Sequence, residues 1–427
     1  MKETYHVQDG AEMEEIMKTK LTKMEKYWIL YDVGNSAFIL LVSTIIPIYF
    51  NSLAEAAGIS STDYLAYWGY AASVATVIVA LIGPVFGTIA DTRNYKKPLF
   101  ALSMMVGVIG CAALSFPASW VVFLAVFVVA RVGYSTSLIF YDSMLVDITS
   151  AKRMDTVSSN GYAWGYIGSC IPFVISLVVV LMNESIGISM GTAMMIAFFI
   201  NAAWWLLVSI PLLKNYEQKH FVELPKHAVG EAFRRLGRTL SDIKGQKNIF
   251  MYLLAFFFFI DGVYTIIEMA TAYGEALDLD STGLLLALLV TQIVAFPFAL
   301  IFSVFSKRYQ TDRLIKVCIL AYTCIALFAI QLDKQWEFWF LAVMVGMFQG
   351  AIQALSRSYF AKIIPADKTG EYFGIYDICG KGASFLGTTL VGLVSQITGK
   401  ANAGVAVIAV LFVIGFVLFG KAAKLNQ

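Results

Sequence analysis

Apolar runs of roughly 19 to 27 residues recur twelve times along this chain of 427 residues, with short polar stretches between them. A helix of about 20 residues matches the hydrocarbon thickness of a bilayer and satisfies its own backbone where no water can. The spans fall at about 26–50, 64–90, 97–116, 119–143, 156–182, 187–213, 248–273, 282–306, 313–331, 336–361, 371–397 and 402–420. The pattern predicts an all-α integral membrane protein with twelve transmembrane helices.

The basic residues give these spans a direction. Of the 31 Lys and Arg residues, 26 sit in seven polar stretches on one side. Those stretches include Lys18 to Lys26, Arg93 to Lys97, Lys152 and Arg153, Lys214 to Lys247, Lys307 to Lys316, Lys362 and Lys368, and Lys421 and Lys424. The opposite side carries only Lys334 and Lys400. Short loops obey the positive-inside bias, so both termini are expected in the cytoplasm, with a bacterial plasma membrane as the location.

Apolar residues make up 59% of the chain and charged ones 14%, which leaves too little polar surface to cover a soluble globule. The net charge of +2 matters less than its sidedness, and basic loops on one membrane face do not imply nucleic-acid binding. Cys111, Cys170, Cys318, Cys324 and Cys379 all lie inside spans, where a thiol behaves as a small apolar group, so no disulfide is expected. His6, His220 and His227 all lie in cytoplasmic segments, which leaves no His-based metal site or proton relay within the membrane. Residues 1–25 are polar and mixed in charge, with no apolar core before a cleavage site, and read as a cytoplasmic extension.

The longest polar segment, 214–247, divides the spans into six and six. Phe233, Leu236, Leu240 and Ile243 within it fit an amphipathic helix lying on the membrane surface. The expected units are an N-terminal bundle at 26–213, this linker, a C-terminal bundle at 248–420 and a tail at 421–427. A weak repeat supports the division: Pro84 and Pro297 are 213 residues apart, as are Gly161 and Gly374.

The loop between spans 2 and 3 reads Gly87-Thr-Ile-Ala-Asp91-Thr-Arg93-Asn-Tyr-Lys96-Lys97. It resembles the loop signature of the major facilitator superfamily, as does the division into two six-helix repeats. Gly87 permits close helix packing, and Asp91 with Arg93, Lys96 and Lys97 can form a cytoplasmic charge latch that breaks when the halves rock apart.

A charge at membrane depth costs at least about 2.5 kcal/mol, so each one needs a partner or a use. Eight stand out: Asp32, Arg131, Asp142, Asp261, Glu268, Arg357, Asp377 and Lys381. In a facilitator-type fold spans 1, 4, 7 and 10 line the central cavity, and six of the eight lie on them. Arg131 and Asp261 sit near mid-span, whereas Asp32, Asp142, Arg357 and Asp377 sit nearer the cytoplasm and Glu268 nearer the outside. Asp377 and Lys381 have the i, i+4 spacing of an ion pair on one helix face. Gln349 and Gln353, also i, i+4, add neutral hydrogen-bonding capacity.

A narrower resemblance rests on four segments: Tyr31-Asp32-Val-Gly-Asn35-Ser-Ala-Phe38, Phe140-Tyr141-Asp142 through Asp147, Asp261-Gly262-Val-Tyr-Thr265, and Gln349-Gly350-Ala-Ile-Gln353-Ala-Leu-Ser356-Arg357-Ser358. These look like the vacuole-effluxer branch of the superfamily, the relatives of autophagy-related protein 22. The resemblance implies a transporter, with amino acids as the solutes of eukaryotic members. Asp142 stands where the family pattern has Asn, and the extra carboxylate adds a protonation site or a cation preference. Spans 1 and 2 also resemble the glycoside-pentoside-hexuronide cation symporters, through Pro84 and Gly87. Those symporters use acidic residues on span 2, and here the span has no carboxylate before Asp91, so no sodium site is expected on it.

The expected function is secondary active transport of a small polar or zwitterionic solute by alternating access, coupled to protons. Asp32, Asn35, Arg131, Tyr141, Asp142, Asp261, Glu268, Gln349, Gln353, Arg357 and Lys381 are the candidate cavity residues. A sugar/cation symporter or a lipid flippase on the same fold are the alternatives. No nucleotide-binding Gly-x4-Gly-Lys-Ser/Thr loop is present, so the energy is expected from a gradient. Enzyme activity, cofactors and metals are not expected, and the chain is expected to act as a monomer.

Overall fold

The computed structural model describes residues 20–223, 239, 245–277 and 279–425. The surface helix expected around Phe233, Leu236, Leu240 and Ile243 lies outside the described residues, as does most of the N-terminal extension.

Span 1 is two helices, Lys23–Val42 and Ile45–Ala56, followed by Ser61–Ala90, Lys96–Ala113, Trp120–Ser143, Met154–Leu181 and Met190–Asn215 as spans 2 to 6. Spans 7 to 12 are Lys247–Ala276, Ser281–Phe305, Thr311–Ala329, Gln335–Ile363, Thr369–Thr398 and Ala401–Leu425. Among the described residues, eleven spans are long and apolar enough to cross a membrane. The remaining helix, Thr311–Ala329, is long enough but carries Asp312, Arg313 and Lys316 in its first two turns.

Local chemistry sets the ends. Thr22 caps span 1 in a capping box with Glu25, and the side chains of Ser60, Ser119, Ser189 and Asp280 accept first-turn N–H groups of spans 2, 4, 6 and 8. Gly399 ends span 11 with φ of 68°, a left-handed conformation open to glycine at little cost. Span 1 breaks at Ser43 and Thr44 because Pro47 lacks an N–H and its ring opposes the Ser43 carbonyl four residues back. Ser43 Oγ donates instead to the Ile39 and Leu40 carbonyls.

The packing repeats itself. In the first half spans 1·5, 1·6, 2·4, 3·4, 3·6 and 5·6 are neighbours, and six spans on 7·11, 7·12, 8·10, 9·10, 9·12 and 11·12 are neighbours too. The contacts between halves also come in related pairs, 2·11 with 5·8 and 4·11 with 5·10. This is the twelve-helix, two-bundle arrangement of a facilitator-type fold.

Spans 2 and 11 approach so closely that only glycine fits. A Cβ on Gly87 would sit 2.1 Å from the Gly370 carbonyl oxygen, and one on Gly374 would sit 2.6 Å from Pro84 Cα. Both obstacles are backbone, so Gly87→Ala must push the two spans apart. Spin labels at the exposed positions Ser150, between spans 4 and 5 of the first half, and Asp367, between spans 10 and 11 of the second, should report a longer distance in Gly87→Ala. An unchanged distance distribution would show that the contact is not what holds the halves together at that end.

Candidate functional site

Three of the charges on spans 1, 4 and 10, Asp32, Asp142 and Arg357, meet in one place. Arg357, on span 10 of the second half, reaches into a pocket made by spans 1, 4 and 5 of the first. Its Nη1 donates to Asp142 Oδ1 at 2.9 Å, its Nη2 to Asp32 Oδ2 at 3.3 Å and to the Ser158 carbonyl at 3.1 Å, and its Nε to Ser158 Oγ at 2.9 Å. The guanidinium carbon lies 4.6 Å from the ring centre of Trp28 and 4.5 Å from that of Tyr162, with Tyr141 at 5.5 Å. Trp28 stacks on Tyr141 at 4.3 Å and donates its indole N–H to the Tyr141 carbonyl.

This side chain is 3% exposed, so its charge is compensated almost wholly by protein. Removing one partner of such a buried ion pair typically costs about 3–5 kcal/mol. Gly161 makes room for the arrangement: a Cβ there would meet Asp32 Oδ2 at 2.4 Å and Arg357 Nη2 at 3.1 Å.

A second junction lies at the end with the basic loops. Asp91, just past the end of span 2, accepts the N–H groups of Gly370 at 2.7 Å and Glu371 at 2.9 Å. Those are first-turn donors of span 11, which have no partner within their own helix, so a carboxylate from the other half caps it. Lys96 Nζ donates to Thr369 Oγ1 at 2.9 Å and lies 3.7 Å from both Asp91 and Asp147. Arg93 and Lys97 sit at the rim. Arg93 pairs with Glu223 and stacks over Phe221, and Lys97 donates to the Lys214 carbonyl.

The segment after span 6 straps this junction. Tyr216 Oη donates to Asp147 at 2.6 Å, the Lys219 and His220 backbone N–H groups donate to the same carboxylate, and Val222 pairs with Thr92. Asp147, Glu217 to Val222 and the strap they form have little signal in the sequence beyond their position next to a latch.

The third junction joins spans 5, 9 and 10. Asp155 accepts from Ser358 Oγ, Lys362 Nζ and Thr311 Oγ1, each at 2.6 Å. Sequence reading passes over Asp155 because it lies at a span end, where a carboxylate is ordinary. Glu25, also at a span end, is held by Arg153 and Thr149 inside the first half. The polar contacts between halves crowd toward the basic end, so this end is closed.

The other candidates are dispersed. Asp261 is fully buried between spans 7 and 11: Oδ1 accepts the Gly387 N–H at 2.9 Å and Thr265 Oγ1 at 3.3 Å, and Oδ2 has no protein partner. A fixed Asp261 to Arg131 ion pair is not formed, since these partners all belong to the second half. Arg131 acts electrostatically on Glu268, which is exposed. Asp377 and Lys381 form the i, i+4 pair at 2.5 Å. Gln353 donates to Tyr166 Oη across the halves at 3.3 Å, and to the Gln349 carbonyl. Asn35 bonds back to the Tyr31 carbonyl of its own helix. A largely apolar cavity of about 280 Å³ lies inside the second half, with Thr265 and Gln349 in its lining.

The chain matches the family model described as vacuole effluxer Atg22 like over residues 22–152 and 146–424. It is 42% identical over 407 residues to the uncharacterized MFS-type transporter YxiO of Bacillus subtilis (strain 168), covering 94% of this chain and 95% of that one. Autophagy-related protein 22-2 of Aspergillus clavatus is 25% identical over 294 residues, 62% of this chain and 48% of the fungal protein, so the match spans about half the fungal length. Among solved structures, the human organic anion transporter MFSD10 has a TM-score of 0.69 at 14% identity, covering 94% of this chain and 100% of that one. FucP in its outward conformation has a TM-score of 0.68 at 13% identity, covering 94% and 97%. At such identities the structural likeness speaks for the fold.

Burial pushes the Asp91 carboxyl up to about 7 from its usual 3.8, against the pull of Lys96 and the two N–H donors. The sign follows by linkage: a carboxyl with a raised pKa in the closed junction takes up a proton on closing. Closure is therefore favoured at low pH, and that contribution is lost as pH rises through about 7. The Ser150 to Asp367 spin-label distance should lengthen as pH rises across this window. Asp91→Asn, neutral at every pH like the protonated acid, cannot titrate and should show a flat profile. A variant that kept the parent's pH dependence would assign the titration to another group.

Proposed function

The chain belongs to the vacuole effluxer Atg22-like family of the major facilitator superfamily, and from that premise we propose that it is a proton-driven transporter of a small polar or zwitterionic solute, amino acids included. Transport across a membrane follows from the family; the solute class, the coupling and the orientation are our reading. The positive-inside bias puts the basic loops and both termini in the cytoplasm of a bacterial cell. The closed end is then the cytoplasmic one, and the molecule stands outward-facing as a monomer.

The observation that supports a polar solute is the set of charges held between the halves, above all Arg357 with Asp32 and Asp142. Those side chains exchange partners when the halves rock, as alternating access requires. A lipid flippase would need an apolar path between the halves, whereas the apolar cavity lies inside one of them.

Asp261 supports proton coupling. It is fully buried, no cation lies beside it among the described residues, and one of its oxygens has no partner. A carboxyl in that setting is suited to gain and lose a proton as the cavity changes sides. Gly387 admits the close approach, since a Cβ there would lie 2.3 Å from Asp261 Oδ1.

Two measurements check this reading. Cysteines placed at the exposed positions Glu184 and Asp333 should label from outside the cell, and one at Arg308 should not; the reverse pattern overturns the orientation. In liposomes with an imposed pH gradient, Asp261→Asn should lose solute accumulation by tenfold or more while keeping exchange down a solute gradient. Accumulation at the parent level would remove Asp261 from the coupling.

A further inference from the structure

We propose that the pocket holding Arg357 is itself a binding site for an organic cation, a guanidinium or primary ammonium group on the solute, and that Arg357 is a tethered occupant that leaves before the solute enters. This rests on the alternating-access reading above. The walls of the pocket all come from the first half: Asp32 and Trp28 on span 1, Tyr141 and Asp142 on span 4, Ser158 and Tyr162 on span 5. Only the occupant comes from the second.

The walls have the chemistry of a cation receptor. Two carboxylates supply charge, the Ser158 hydroxyl and carbonyl accept hydrogen bonds, and the Trp28 and Tyr162 rings lie 4.6 and 4.5 Å from the cationic carbon. A cation over such faces is attracted by the negative face of each ring, more strongly when desolvated. The Tyr141 hydroxyl is fully buried next to Asp32 without a well-formed hydrogen bond, so the pocket holds polar capacity that Arg357 does not use.

Opening the basic end must separate span 10 from spans 1, 4 and 5, because they belong to different halves. Arg357 then withdraws, and Asp32 and Asp142 lose their cation together. The nearby cations are engaged elsewhere: Lys96 with Asp91 and Asp147, Arg153 with Glu25, and Lys381 with Asp377. Two uncompensated carboxylates in a half-buried site are costly. A solute cation of the same shape removes that cost, which makes its binding and the opening of this end one event. Arg357 and the solute compete, so the apparent affinity is reduced by the fraction of molecules whose pocket is vacated.

The test compares agmatine and arginine, which carry a guanidinium, with citrulline, in which a neutral urea replaces it. Binding to the purified full-length protein is measured by calorimetry, and opening by the Ser150 to Asp367 spin-label distance. Agmatine and arginine should bind and lengthen the distance, and citrulline should do neither. Asp142→Asn should weaken agmatine at least tenfold. Arg357→Gln should tighten it about tenfold, an improvement that a purely structural arginine would not give. If Arg357→Gln does not fold, Arg357→Lys keeps the charge but loses the planar fork that fits this pocket, and should tighten agmatine severalfold.

Equal binding of citrulline and arginine, or an Asp142→Asn variant that keeps full affinity for agmatine, overturns the proposal. So does an Arg357→Gln variant that binds agmatine no better than the parent. Proton-driven accumulation of a neutral or anionic solute, with no binding of either guanidinium, would sink this proposal and leave the transporter reading standing.

Discussion

A buried guanidinium on span 10 and two carboxylates on spans 1 and 4 tie the shape of this molecule to its charge balance. In a bilayer neither sign can find water, so each must find the other. Arg357 is compensated only while its helix is seated against the first half. The closed conformation is thus the one in which the charges of the two halves are paired, and any departure from it needs a substitute partner. The aromatic rings of Trp28 and Tyr162 and the missing Cβ of Gly161 shape the seat around that requirement.

The two seals that flank the guanidinium use different physics. Between spans 2 and 11 the backbones touch at Gly87 and Gly370, and Asp91 caps a helix belonging to the other half. That contact is short-ranged and directional, because N–H donors at a helix start lose their partner within a fraction of an ångström. On the other flank Asp155 gathers Lys362, Ser358 and Thr311, with an ion pair at a partly exposed edge whose attraction falls off slowly with distance. A rocking motion breaks the first abruptly and the second gradually. The strap from Tyr216 to Val222 holds Asp147 and Thr92, so the connection between the halves begins by bracing the stiffer seal.

The spans are legible in the sequence because hydrophobic length and loop charge are local properties. The helices do run a few residues beyond the apolar cores, for example to Leu425 in span 12, where Lys421 and Lys424 extend past the apolar run. The break in span 1 is also written locally, in Ser43, Thr44 and Pro47, yet a hydropathy pattern passes over it because the apolar content does not change. Asp32, Asp142 and Arg357 stand out one by one as charges within apolar runs. That they share one pocket depends on helix rotation, which is set by packing that no window of residues contains. Asp155 and Asp147 are harder still, since charged residues at span ends are ordinary and only their partners distinguish them.

The internal repeat explains why the fold is symmetric while its chemistry is not. The offset of 213 residues that relates Pro84 to Pro297 and Gly161 to Gly374 preserves residues that shape helices. At the same offset Asp91 corresponds to Val304, and Asp155 corresponds to Lys368, a reversal of sign. Proline and glycine act on the backbone, so both halves can keep them and both halves bend alike. A charge acts through its partner, and like charges that meet on the pseudo-twofold axis would repel. Letting the charges differ between repeats frees each half to supply one sign of a pair. The first half has become the receptor, with Asp32, Asp91 and Asp142, and the second supplies what it receives, with Arg357 and the N–H groups of span 11.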